Sequence, residues 1–152
     1  VITMECTCIE IQKKVMEKLE NDPALSSYVK KFGIGQQNTS RTLFPYVSVV
    51  SVTEEVEPLC MGPGAPDLHH YRIVVHGGTN SLSPGVARGG NGSGKKGIVH
   101  LMDDLVTVLY PGNLEGIFKN TLHLSNASYY PVEKSGGKTW RTKIELRGIR
   151  KL

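Results

Sequence analysis

The stretch Tyr71-Arg72-Ile73-Val74-Val75-His76, followed by a glycine-rich run from Gly77 to Gly97 and then by Ile98-Val99-His100-Leu101-Met102-Asp103-Asp104-Leu105, decides how this chain is read. A short apolar strand, a loop and a patterned helix follow one another, which is the layout of a phosphate-binding loop. Three features count against that reading. Gly89 to Lys96 fits G-x-x-x-x-G-K, but Lys96 stands where the magnesium-binding Ser or Thr belongs. More than ten residues separate His76 from Gly89, so the loop does not spring from the strand end. No acidic residue at the end of a following apolar strand offers a second magnesium ligand. The stretch instead predicts a core strand and a core helix joined by a long flexible arm over residues 77–97.

On the N-terminal side, Tyr46-Val47-Ser48-Val49-Val50-Ser51-Val52 is rich in β-branched residues and predicts a strand. Glu54, Glu55 and Glu57 form an acidic exit from it, and Pro58 to Asp67 reads as a loop. Earlier still, Thr7 with Glu10 makes a capping box. Cys8, Ile11, Val15 and Leu19 then recur at helical spacing, giving an amphipathic helix over 7–21 that Asp22-Pro23 breaks. Leu25, Tyr28 and Val29 suit one more helical turn, and Phe32-Gly33-Ile34 a short strand.

On the C-terminal side, Ile98, Leu101, Met102, Leu105, Val106 and Leu109 form one stripe of a helix, with Asp103, Asp104 and Thr107 opposite as solvated or interface charge. Thr121–Ser125 and Ser128–Val132 read as short strands, and Ser135-Gly136-Gly137 as a turn. In the last strand Trp140, Thr142, Ile144, Leu146 and Gly148 alternate with Thr139, Arg141, Lys143, Glu145 and Arg147. The sum is a single α+β domain spanning residues 1–152. Its sheet is mainly antiparallel, with two helices packed on one face. The other face, bearing Ser, Thr, Arg and Lys, is left for solvent or a neighbour.

Composition narrows the function classes. The chain of 152 residues is 39% hydrophobic and 21% charged, ordinary for a globular domain, and long enough to bury a core without metals or disulfides. Its net charge of +4 is mild and does not mark a nucleic-acid binder by itself. Cys6 and Cys8 form C-x-C, not the C-x-x-C of zinc or redox sites, and with Cys60 they read as free thiols in a reducing cytoplasm. No signal peptide and no long apolar run is present, so the expectation is a protein neither secreted nor membrane-spanning. Met4 is a candidate natural start, with Val1 to Thr3 an extension ahead of it.

Candidate chemistry is sparse. His69 and His70 point to opposite faces of a strand. His70 and His76 share a face but lie ~20 Å apart, too far for one metal. Asp103 and Asp104 diverge by about 100° around their helix and do not converge on a substrate. Nucleophile–base pairings are not supported, so the expectation is a binding or assembly protein, not an enzyme, with no cofactor and no metal.

The order of elements resembles the tail terminator and tail completion proteins of long-tailed bacteriophages. The resemblance rests on the N-terminal helix ending near Leu25, on Phe44-Pro45-Tyr46-Val47-Ser48-Val49, and on Tyr71-Arg72-Ile73-Val74-Val75 followed by a long loop. It continues with Asp103-Asp104-Leu105, Leu122 to Tyr130, and Trp140-Arg141-Thr142-Lys143-Ile144-Glu145-Leu146. The Gly77–Gly97 run is longer than that pattern needs. The resemblance implies a virion protein that assembles in the host cytoplasm as a hexameric ring. Such a ring caps the tail tube, ends its growth and joins tail to head, with genomic DNA passing through. Its partners would be the tail tube protein and a head completion or connector protein. Another head–tail junction protein is the nearest alternative. A nucleotide binder of the phosphate-loop kind and a small basic nucleic-acid module are alternatives of other classes. Interface candidates are Trp140, Arg141, Lys143, Glu145 and Arg147 on the last strand, and Arg88, Lys95 and Lys96 at the arm tip.

Overall fold

A computed structural model describes residues 7–35, 45–58, 67–79, 97–110, 112, 114, 118, 122–134 and 137–151. Among them are α1 (Thr7–Glu20), α2 (Pro23–Ser26), β1 (Lys31–Ile34), β2 (Tyr46–Pro58), β3 (Asp67–Thr79), α3 (Ile98–Leu109), β4 (His123–Lys134) and β5 (Gly137–Lys151). The architecture is α+β, mostly sheet. The five strands lie in the order β1-β2-β3-β5-β4. The sheet is mixed: β1 runs parallel to β2, and the β2–β3, β3–β5 and β4–β5 pairs are antiparallel.

The helices form where the apolar spacing requires. In α1, Ile11, Val15, Met16 and Leu19 are buried at the expected three- and four-residue intervals. Thr7 begins that helix as expected, although its side chain lies outside the described residues. Asp22 caps α2, its carboxylate accepting a hydrogen bond from the Leu25 amide at 3.0 Å, with Pro23 in the first turn. In α3, Ile98, Leu101, Leu105 and Leu109 are buried. These residues form one cluster with Val47, Val49, Tyr71, Ile73, Val75, Ile144 and Leu146, which share a sheet face by strand alternation.

Several boundaries differ from the sequence reading. β2 does not stop at Val52 but runs through the acidic residues to Pro58, because β3 starts at Asp67 and pairs with it throughout. A register shift between Val49 and Ser51 reverses the facing of the strand, so Val52 rather than Ser51 lies beside Ile73. The segment expected as two strands around Ser125 is one strand, β4, with a register shift between Leu124 and Asn126. Gly77 and Gly78 belong to β3, not to the arm, and Gly97 is the N-cap of α3. Both strand glycines are required by close approach. A Cβ at Gly77 would lie 2.8 Å from Leu101 Cδ2 of α3, and one at Gly78 only 2.2 Å from Tyr46 Cε1.

Candidate functional site

Among the candidate contact residues, Arg88, Lys95 and Lys96 lie outside the described residues. The five on β5 divide. Trp140 alternates with Thr142, Ile144 and Leu146 toward the core side, where its ring stands 6.2 Å from that of Tyr129 at 50°. Arg141, Lys143, Glu145 and Arg147 point to the opposite face. There the pairing of β5 with β3 and of β3 with β2 builds regular rungs. Lys143 stands beside His76, and His76 beside Ser48. Arg141 stands beside Gly78, and Gly78 beside Tyr46.

Two acidic side chains have partners that the sequence pattern does not show. Glu145, on the face expected to meet solvent or a neighbour, is only 7% exposed. The cause is Arg72, which reaches diagonally across β3. Its Nε donates to Glu145 Oε1 and its Nη2 to Oε2 at 3.2 Å, while Arg147 Nη2 donates to Oε1 at 3.4 Å. A carboxylate under two guanidiniums is held ionised. The Arg72 hydrogen bond is the main cause that keeps its proton affinity below the usual carboxylate range, partial burial opposes it, and the charges of Arg72 and Arg147 add to it. Asp104 is likewise not simply solvated, since it accepts a 2.6 Å hydrogen bond from the Tyr28 hydroxyl. Burial, and next that hydrogen bond, push the Tyr28 phenol strongly upward.

The face is also more closed than its composition suggests. Tyr46, Ser48 and Val74 on it are buried. The Ser48 hydroxyl and the Arg141 Nε are buried with no hydrogen-bond partner among the described residues. His76 is lowered to about 4, first by burial and then by the charges of Arg141 and Lys143. Sequence reasoning passed over Ser48, Arg72 and His76 as site residues. Their alternation in the two central strands was the available signal, but the partners across the sheet were not.

The other end of the sheet is acidic. Thr53 to Pro58 of β2 are all exposed. Glu54 meets His69 Nδ1 at 2.5 Å and Glu57 meets His70 Nε2 at 2.8 Å. Glu54, Glu57 and His70, with Thr53, Glu55, Arg72 and Arg147, line an open groove of about 840 Å³. Among the described residues no group of three or more His, Cys, Asp or Glu is placed to hold a metal ion, and no helix is long and apolar enough to cross a membrane. What the arrangement offers chemically is charge and open strand edge. Against protein-family models the sequence finds no match, and a search of curated proteins finds none either.

Proposed function

We propose that this chain is a structural subunit of a bacteriophage virion that closes into a ring on the end of the tail tube, stops tube growth and offers the surface for head joining. The observation that carries this reading is the pair of unlike edges left by the strand order. At one edge β4 has no outer neighbour among the described residues. It presents exposed Ser125, Asn126, Ala127 and Tyr129. At the other edge β1 covers only Tyr46–Val49, and the acidic remainder of β2 has no strand on that side among the described residues. A ring needs a head-to-tail contact between two different patches of each subunit, and two chemically distinct edges supply that asymmetry.

In this reading α1 and α3 pack on one sheet face and the opposite face turns toward neighbours. The ring is a hexamer in the virion neck, between the tube protein and a head completion protein. DNA crosses its lumen transiently, so protein contacts rather than tight DNA contacts dominate. The test is sedimentation velocity and electron microscopy of the purified protein, followed by its addition to growing tubes of a phage tail tube protein. Closed rings that arrest tube growth are expected. A protein that stays monomeric and leaves tube length unchanged would sink the reading.

A further inference from the structure

Within the ring reading, on which this inference rests, we propose that the acidic end of β2 in one copy docks on the Arg141–Lys143 rungs of the next copy's sheet. The basic side lacks a counter-charge among the described residues. Two rungs away Glu145 is satisfied by Arg72 and Arg147. Neither Arg141 nor Lys143 has an ion pair among the described residues, and Arg141 Nε is buried without a hydrogen-bond acceptor. Arg141 and Lys143 are only half-buried, and an incoming carboxylate answers their charge.

The acid that answers them is on the same chain but out of reach. Glu55 pairs in register with His70, and Lys143 with His76. Six residues along β3 separate those rungs by ~20 Å. Glu55 has no partner among the described residues, and Val56 beside it is 49% exposed. Among the described residues the strand that carries them has an open backbone edge beyond Val49. In the ring reading this contact is used head-to-tail, so it closes from copy to copy instead of being satisfied twice in a two-fold dimer. Duplex DNA suits the face less well, because Glu55 and Glu57 lie on the same sheet surface as the cations and would repel a phosphate backbone running across it.

Charge reversal tests this on the full chain. Lys143→Glu and Glu55→Lys should each weaken self-association on the order of 30-fold, read by sedimentation velocity. The double variant should recover to within a few-fold of wild type. The two positions do not meet within one chain, so recovery reports contact between chains. Lys143→Gln and Glu55→Gln serve where a reversal disturbs folding, and thermal melts check each variant. A double variant as impaired as either single one overturns the proposal. So does a wild type that remains monomeric or stops at a dimer, or singles that associate normally. Salt-steep binding of duplex DNA lost in Lys143→Glu, with self-association unchanged, also overturns it. Charge-swap recovery in open filaments, or in rings that fail to arrest tube growth, keeps the contact and sinks only the tail-cap reading.

Discussion

Arg72 holds Glu145 in a fork of two hydrogen bonds across β3 and β5, although the residue directly opposite Arg72 in register is Arg147. The diagonal reach leaves Arg147 beside the same carboxylate, so one acid separates two guanidiniums that would otherwise repel across the strand pair. Glu145→Gln removes that neutralisation. A loss of about 1 kcal/mol is expected, because Arg72 is half exposed and water screens the pair. The Glu145 contribution is present above the unfolded carboxylate pKa and is lost as pH falls. Urea titrations of wild type and variant should therefore converge toward acid pH.

His76 predicts a second acid sensitivity. Its folded value of about 4 lies below the unfolded value of 6.5. The unfolded chain thus binds the proton first as pH falls. Stability from neutral His76 is complete above pH 6.5 and is lost on going down toward 4. Arg141 and Lys143 on β5 supply the repulsion, and Ser48 on β2 is the neighbour on the other side. Since the ring is only partly shielded, about 1 kcal/mol is expected over that range. His76→Gln should flatten the pH profile of the melting temperature between those two values, and an unchanged slope would refute the assignment.

Gly78 predicts a steric effect. A methyl group there meets the Tyr46 ring at 2.2 Å, and that ring is itself 2% exposed. Gly78→Ala should destabilise by about 2 kcal/mol, in the range for overpacking. In a Tyr46→Leu background the added penalty should shrink. Denaturant titrations of the four proteins give the coupling, and an additive cycle would show that the ring is not the obstacle.

Tyr28 ties the turn after α2 to α3 through Asp104. Tyr28→Phe deletes one charge-assisted hydrogen bond between segments far apart in sequence, with an expected loss of about 1.5 kcal/mol. Asp104→Asn keeps the shape but not the charge and should lose less. Chemical denaturation ranks the two, and the reverse order would mean that the phenol packs rather than bonds.

Elements whose pattern is local are legible in the residues alone. Helical spacing marked Ile11, Val15, Leu19, Ile98, Leu101, Leu105 and Leu109, and strand alternation marked Thr142, Ile144, Leu146 and Gly148, all of which are buried. Periodicity survives because each of these elements has one wet side and one dry side. Strand length was less legible. Glu54, Glu55 and Glu57 look like an exit from a strand, yet hydrogen bonds to β3 continue the ladder to Pro58. Backbone pairing, not side-chain polarity, decides where a strand ends.

Tertiary structure alone decided the character of the candidate surface. A one-dimensional pattern places Arg141, Lys143, Glu145 and Arg147 on one face. It cannot show that Arg72 arrives from β3 to close over Glu145 while Arg141 and Lys143 stay without a counter-charge among the described residues. It cannot show that Gly78 exists to admit the Tyr46 ring, or that Asp104 answers Tyr28. Each of these depends on which strand or helix lies next to which. That order is set by burial of the whole core, a property summed over residues far apart in the chain.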